Sequence, residues 1–266
     1  MSGTLDWTSV EVAVPDPTRR RPGVSMAGFR QRVPANVDIG MVAHPSVTVL
    51  LDLGAGLVAD NGLRGSMVIG LLAPAPRLGG YGVGACLQIR LSPLVAATVL
   101  GAPAPGALVS LDLLWGADAG RIEHRLRTAA SWDERFAIVT EVLGRRLPDN
   151  VLVDPEVAHA WRRTRVSRGR VRVEGLAHEV GWSRQRMWSR FRSQLGITPK
   201  RAAQLIRFDH AAHLLAEGRS PAAVAAASGY VDQSHLHREI KAFTGDTPAA
   251  VAVAPWLAID DVAWPP

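Results

Sequence analysis

Cysteine is almost absent. Cys86 stands alone in 266 residues, which excludes a disulfide framework and any zinc site built from several thiolates. The N-terminus (MSGTLDWTSVEV) lacks the basic start and apolar core of a secretory signal, so none is expected. Long unbroken apolar runs are missing as well. The longest uncharged stretch, Leu91 to Leu111, reaches the length of a membrane span but holds Pro93, Gly101, Pro103, Pro105 and Gly106, which break a helix. With 47% hydrophobic and 20% charged residues the chain is neither disordered nor a coiled-coil rod. A cytoplasmic protein with no membrane segment is expected.

Charge is present but unevenly placed. Residues 1–161 carry 14 Arg/Lys against 15 Asp/Glu, residues 162–201 carry 12 against 2, and residues 202–266 carry 4 against 7. The whole net charge of +6 therefore originates in forty residues, and arginine supplies 28 of the chain's 30 cations. Concentrated positive charge is the footprint of a polyanionic partner. An arginine-rich solvated face would give the same count, so charge alone does not decide.

The first 120 residues read as short strands and turns. Val47 to Leu51 and Met67 to Leu72 are apolar runs bounded by Gly, Pro and Asn, and Cys86 to Leu91 alternates apolar with polar. The period then changes. Ser131 and Glu134 have capping-box spacing, with Phe136, Val139, Val142, Leu143 and Leu147 on one helical face until Pro148. Asp154-Pro155, Thr198-Pro199 and Ser220-Pro221 each pair an N-cap with a proline at the first helical position. Between the last two, Ala202, Leu205, Phe208, Ala212 and Leu215 share a face, and Gly218 ends the helix. This predicts an α+β chain: a β-rich N-terminal domain with trailing helices over 1–150, an all-α domain over 151–250 and a tail over 251–266.

An internal repeat is the strongest signal. Leu176-Ala177, Gly181-Trp182, Ser183, Met187, Phe191, Gly196 and Thr198-Pro199 return as Val224-Ala225, Gly229-Tyr230, Asp232, Leu236, Ile240, Gly245 and Thr247-Pro248. The offset is 48 residues through the aromatic and 49 beyond it, so the second turn holds one extra residue. Each copy predicts a helix, a glycine turn, an N-cap (Ser183 or Asp232) and a second helix that buries an i,i+4 pair. The opposite face offers Arg184, Gln185, Trp188, Ser189 and Arg192 in the first copy. In the second it offers Gln233, Ser234, His237, Arg238 and Lys241. Such side chains suit base edges and phosphates in a major groove. A plain helical hairpin explains one copy; two copies in a basic context favour DNA.

The stretches LAHEVGWSRQRMWSRFRSQLGITP, KRAAQLIRFDHAAHLLAEG and VAAASGYVDQSHLHREIKAFTGDTP resemble the DNA-binding domain of AraC-type transcriptional regulators, two helix-turn-helix units joined by a long helix. The resemblance implies recognition helices in successive major grooves of double-stranded DNA. It places base reading at Gln185, Trp188 and Ser189, and at Gln233, Ser234, His237 and Arg238. Ser189 stands where the family usually has arginine, which shifts the expected contact toward Arg190. Leu236 and Ile240 replace bulky aromatics. The acids Asp232, Glu239 and Asp246 around the second recognition helix assign most phosphate affinity to the first unit, through Arg184, Arg190 and Arg192.

In that family the N-terminal domain senses a small-molecule effector or mediates homodimerisation, often on a cupin-like barrel. GVGACLQIRLSPLVAATVLG with LVSLDLLWG resembles an uncharacterised domain found before this DNA-binding domain. Trp7, Phe29, Tyr81 and Trp115 are candidate pocket aromatics, though isolated aromatics are more often core.

Enzyme readings find little support. Gly54 to Ala59 fits the dinucleotide fingerprint GxGxxA, yet no acid stands between Asp60 and Asp112 to hold a ribose. Gly79 to Gly84 lacks the Lys-Ser/Thr of a phosphate cradle and reads as a flexible loop. His44 has no second histidine nearby, and His235 and His237 read as DNA- or solvent-facing, so no metal or cofactor is expected. Cys86 reads as a buried strand residue. The rival function is an enzyme or DNA-repair protein with a catalytic N-terminal domain on the same DNA-binding module.

Overall fold

The computed structural model describes residues 9–33, 35–54, 56–71, 76–82, 84–101, 107–147, 153–254, 257, 260 and 262–264. The chain divides into two compact units. The first comprises residues 1–41, 46–152 and 260–266; the second comprises 42–45 and 153–259.

Among the described residues, nine strands, one turn of 3-10 helix (Pro17–Arg19) and four α-helices build the first unit: β1 (Val10–Ala13), β2 (Val24–Gln31), β3 (Ala35–Gly40), β4 (Val47–Asp52), β5 (Val58–Ala59), β6 (Met67–Ile69), β7 (Arg77–Gly82), β8 (Ala85–Leu91), α1 (Pro93–Leu100), β9 (Leu108–Ser110), α2 (Asp112–Trp115), α3 (Ala117–Thr128) and α4 (Trp132–Arg146). They form an antiparallel sheet in the order β1-β2-β8-β4-β6-β9 and a smaller one in the order β3-β7-β5. Among the described residues no ladder joins the two sheets into a single barrel, so the cupin-like expectation reduces to a two-sheet β domain.

β4 is buried at every position, as a strand covered on both faces must be. On one face Leu50, Met67 and Ile69 pack against Leu57, Ala59 and Leu78 of the small sheet side. Register puts Ala27, Gln88 and Leu50 in one row, so Gly28 belongs to the opposite face. There the Trp132 ring of α4 lies so close that a Cβ at Gly28 would sit 2.3 Å from it. The cap forms in a variant of the expected box: Ser131 Oγ accepts from Glu134 N at 3.2 Å, and the Glu134 carboxylate accepts from Ala130 N, one residue before the N-cap, at 2.8 Å.

Of two glycine-rich segments, the one at Gly79 differs from the flexible loop expected there. Gly79 and Gly80 lie in β7, the middle strand of the small sheet, where β3 and β5 supply backbone partners that the sequence pattern does not reveal. The run from Gly54 leads into β5 and not into a helix; Gly54 and Gly56 take positive φ, and the Asp52 carboxylate accepts from Gly54 N and Leu57 N. That is a tight turn, not a dinucleotide cradle. The expected Met67 to Leu72 strand is shorter: β6 ends at Ile69, Gly70 and Leu71 leave the strand, and Leu72 lies, like Ala55, outside the described residues.

The second unit is all helix: α5 (Pro155–Val166), α6 (Val173–Glu179), α7 (Arg184–Leu195), α8 (Pro199–Ala216), α9 (Pro221–Ser228), α10 (Gln233–Thr244) and α11 (Pro248–Ala252). Thr198, Ser220 and Thr247 each accept a backbone N–H three residues on, ahead of proline. α8 is the hub. Ala202, Leu205, Phe208, Ala212 and Leu215 are all buried, and the helix packs against α5, α7, α9, α10 and α11. Among the described residues, no helix is long and apolar enough to cross a membrane.

Candidate nucleic-acid interface

α6 and α7 form the first helix pair. Leu176 and Ala177 anchor α6, and Gly181 turns the chain at φ 67°. Ser183 Oγ then accepts from Arg186 N at 3.2 Å to start α7. Met187, Phe191 and Leu195 are buried, with Trp161 of α5 against Phe191 at 6.4 Å between ring centroids. Arg184, Gln185, Trp188, Ser189 and Arg192 remain exposed on the other side. Trp188 is 45% exposed, an unusual position for a tryptophan, with the Arg192 guanidinium 5.1 Å from its ring centre.

α9 and α10 repeat the design. Val224 and Ala225 anchor α9, Gly229 turns at φ 76°, and the Asp232 carboxylate accepts from His235 N at 2.7 Å. Leu236, Ile240 and Phe243 are buried, the last stacked on Phe208 of α8 at 4.7 Å. Gln233, Ser234, His237, Arg238 and Lys241 are exposed.

Electrostatics divides these candidates. Arg190 has its Nε and a terminal nitrogen on the Asp154 carboxylate at 2.8 and 2.9 Å, a two-pronged pair that fastens α7 to the start of α5. Asp154 is thus the N-cap of α5 by position, but its side chain makes no capping bond because Arg190 holds it. Arg184 pairs with Glu174 at 2.9 Å, both well exposed, an arrangement that water and salt readily exchange. Gln185, Trp188, Ser189 and Arg192 enter no ion pair among the described residues.

In the second copy the position equivalent to Arg190 is Glu239, and it turns inward. Glu239 is buried, accepts from Arg207 at 2.7 Å and receives the Tyr230 hydroxyl at 2.9 Å. Burial and then the Glu239 charge push the Tyr230 hydroxyl far above its ordinary range, so it stays a donor. The sequence places Asp232, Glu239 and Asp246 as acids around the second recognition helix. Glu239 is a buried brace, while Asp232 is the exposed N-cap and Asp246 is exposed beyond the helix end, so the face of α10 loses one acid from that count. The only sequence sign of the brace is the matching position of Arg190 and Glu239 in the repeat.

Trp115 is core, its Nε1 donating to Val99 O at 3.1 Å, and Phe29 lies half-buried in β2. Trp7 and the Tyr81 side chain fall outside the described residues. Burial, followed by the Asp52 charge, pushes the Cys86 thiol up to about 12, which leaves no thiolate at neutral pH. Among the described residues no group of three or more His, Cys, Asp and Glu is placed to hold a metal ion.

The duplicated fold has matching relatives. A family model described as a helix-turn-helix domain covers residues 176–252. The matched residues take in both helix pairs, from within α6 to the end of α11. An uncharacterised HTH-type transcriptional regulator, YbfI of Bacillus subtilis, is 36% identical over 66 residues. That match spans 25% of this chain and 24% of YbfI, about a quarter of each. Among solved structures, ToxT from Vibrio cholerae is 11% identical, covering 90% of this chain and 98% of its own at a TM-score of 0.45. The C-terminal domain of AraT, a response regulator from Geobacillus stearothermophilus, is 22% identical, covering 38% and 86% at a TM-score of 0.36.

Proposed function

We propose that the protein is a cytoplasmic, DNA-binding transcriptional regulator that reads duplex DNA with both helix-turn-helix units under control of its N-terminal unit. One observation carries the reading. Two capped helices, α7 and α10, each bury one stripe and leave the opposite face exposed and rich in hydrogen-bond donors, and α7 lies within the most basic part of the chain. In this reading Gln185, Trp188 and Ser189 of α7, and Gln233, Ser234, His237 and Arg238 of α10, meet base edges, while Arg184 and Arg192 meet phosphates. Arg190 serves the fold, through Asp154.

The test is a salt titration of binding to a pool of random duplexes, followed by sequencing of the retained fraction. The expected result is steep salt dependence and an enriched bipartite motif, its halves about one helical turn (~34 Å) apart. Binding without any enriched sequence would remove base reading. No binding at low salt, with or without extracts of small molecules, would overturn the regulator reading.

The N-terminal unit supplies control in this proposal. It holds a cavity of about 330 Å³ lined by Val14, Arg20, Arg21, Met26, Ala263 and Trp264, among others. Apolar walls beside two guanidinium groups suit a small organic anion as effector. Trp264 was not among the aromatics singled out as pocket candidates. It is brought there by the returning C-terminal segment, where Arg90 donates to Asp260 at 2.7 Å and lies 4.1 Å from the Trp264 ring centre. Homodimerisation through the same unit is the other route of control, and sedimentation of the full chain on and off DNA separates the two.

A further inference from the structure

The α5–α6 turn is the most basic place in the second unit, and neither recognition helix contains it. Between Glu156 and Glu174 the sequence holds no acid and six arginines, at 162, 163, 165, 168, 170 and 172. Arg163 is spent on Glu179, at 3.0 and 3.1 Å. The turn itself is rigid. Ser167 N bonds to Arg163 O, Gly169 N to Thr164 O, and Arg170 N to Ser167 O, while Ser167 Oγ accepts from Val171 N. Gly169 is wedged under α8, where an added Cβ would lie 2.1 Å from Ala203 O.

Two features mark this turn as more than a connector. Arg168 is the one non-glycine residue with positive φ (52°) among those described, a conformation that arginine adopts at a cost. Arg170 lies across the second helix pair: a Cβ on Gly229 would touch its Cγ and Cδ at 3.1 Å. Gly229 opens the turn that leads to the N-cap of α10. The two arginines also act on a shared neighbour. Arg168 donates to His210 Nε2 at 3.2 Å, and burial together with Arg168 and Arg170 holds His210 below the usual histidine range. Both arginine side chains are exposed, and neither is in an ion pair among the described residues.

We propose that Arg168 and Arg170 form a backbone clamp, a site for one or two phosphates of duplex DNA beside the start of α10. A turn fixed on three sides presents guanidinium groups without the entropy loss of ordering a loop, and a guanidinium fork matches phosphate geometry. The clamp adds affinity and register to the second helix pair, whose own exposed face is less basic than that of α7. This rests on the DNA-binding reading above.

The test uses the full chain and two duplexes, one selected and one random. Arg168→Gly removes the charge at a position where glycine is conformationally at ease, and Arg170→Gln keeps much of the packing on Gly229. The double variant is expected to lower the slope of log Kobs against log[salt] by about 1–2, near 0.9 per phosphate lost, on both duplexes. Their affinity ratio stays unchanged, and Arg170→Lys restores most of the slope in its single. A double Arg64→Gln, Arg145→Gln variant, on the N-terminal unit, is the charge-matched control. An unchanged slope in the double variant, or an equal fall in the control, overturns the clamp while leaving the regulator reading intact. A wild type that binds neither duplex overturns that reading itself.

Discussion

At the scale of single residues, space and backbone conformation decide together. Gly169 and Gly218 both have positive φ, 74° and 82°, but Gly218 faces open space while Gly169 faces the Ala203 carbonyl. Gly218→Ala is expected to cost about 1 kcal/mol, the left-handed penalty alone. Gly169→Ala adds a backbone clash that no rotamer relieves, and about 3 kcal/mol or more is expected. Chemical denaturation of the two variants side by side measures the difference; equal losses would mean the α5–α6 turn yields where the packing says it cannot. Arg190 makes a second case. If its guanidinium braces α7 against Asp154, Arg190→Ala and Asp154→Ala should each cost only about 0–1 kcal/mol, because the pair is partly exposed, and the double should cost no more than either single. Motif enrichment should survive both. A changed half-site in Arg190→Ala alone would return Arg190 to the base-reading set.

Among elements, what could be read from the sequence follows the range of the interactions. Ser131, Ser183, Thr198, Ser220 and Asp232 accept from amides only three residues away, so the starts of five helices were legible in the pattern of polar residue and periodic apolar face. The exposed faces of α7 and α10 were legible for the same reason. β7 was not, because RLGGYG has no alternation and is a strand only through β3 and β5. Nor was the use of Asp154, whose carboxylate leaves its own helix for one 36 residues on. The clasp between α5 and α6 is another long-range feature. Glu179 accepts from Arg163 and contacts His159 at 2.8 Å, and those two partners hold its carboxyl down at about 2 from 4.5. A lowered acid stabilises the fold above its unfolded pKa and loses that contribution as pH falls through the folded value. Melting temperatures of wild type and Glu179→Gln should therefore differ at pH 6 and converge between about pH 4.5 and 2. A gap that persists at pH 2 would make the clasp a matter of packing.

Across the whole helical unit, the geometry of the proposed DNA reading depends on α8. Its 18 residues span about 27 Å, and one side is buried against the helices before and after it, so α7 and α10 are held at a set separation within one compact unit. A flexible linker would let the two recognition helices search for half-sites at varied spacing; a buried helical hub forbids that. Five extra base pairs between the selected half-sites would rotate the second one to the far side of the duplex. Ten would bring back the same face but move it ~34 Å farther away. Both insertions are expected to reduce binding to that of a single half-site, measured by titration of the full chain at fixed salt. Recovery at ten base pairs would require α8 to unfold or the two helix pairs to part. It would locate the spacing rule outside this unit, in the pairing of two chains, since only separate copies could follow the half-sites apart.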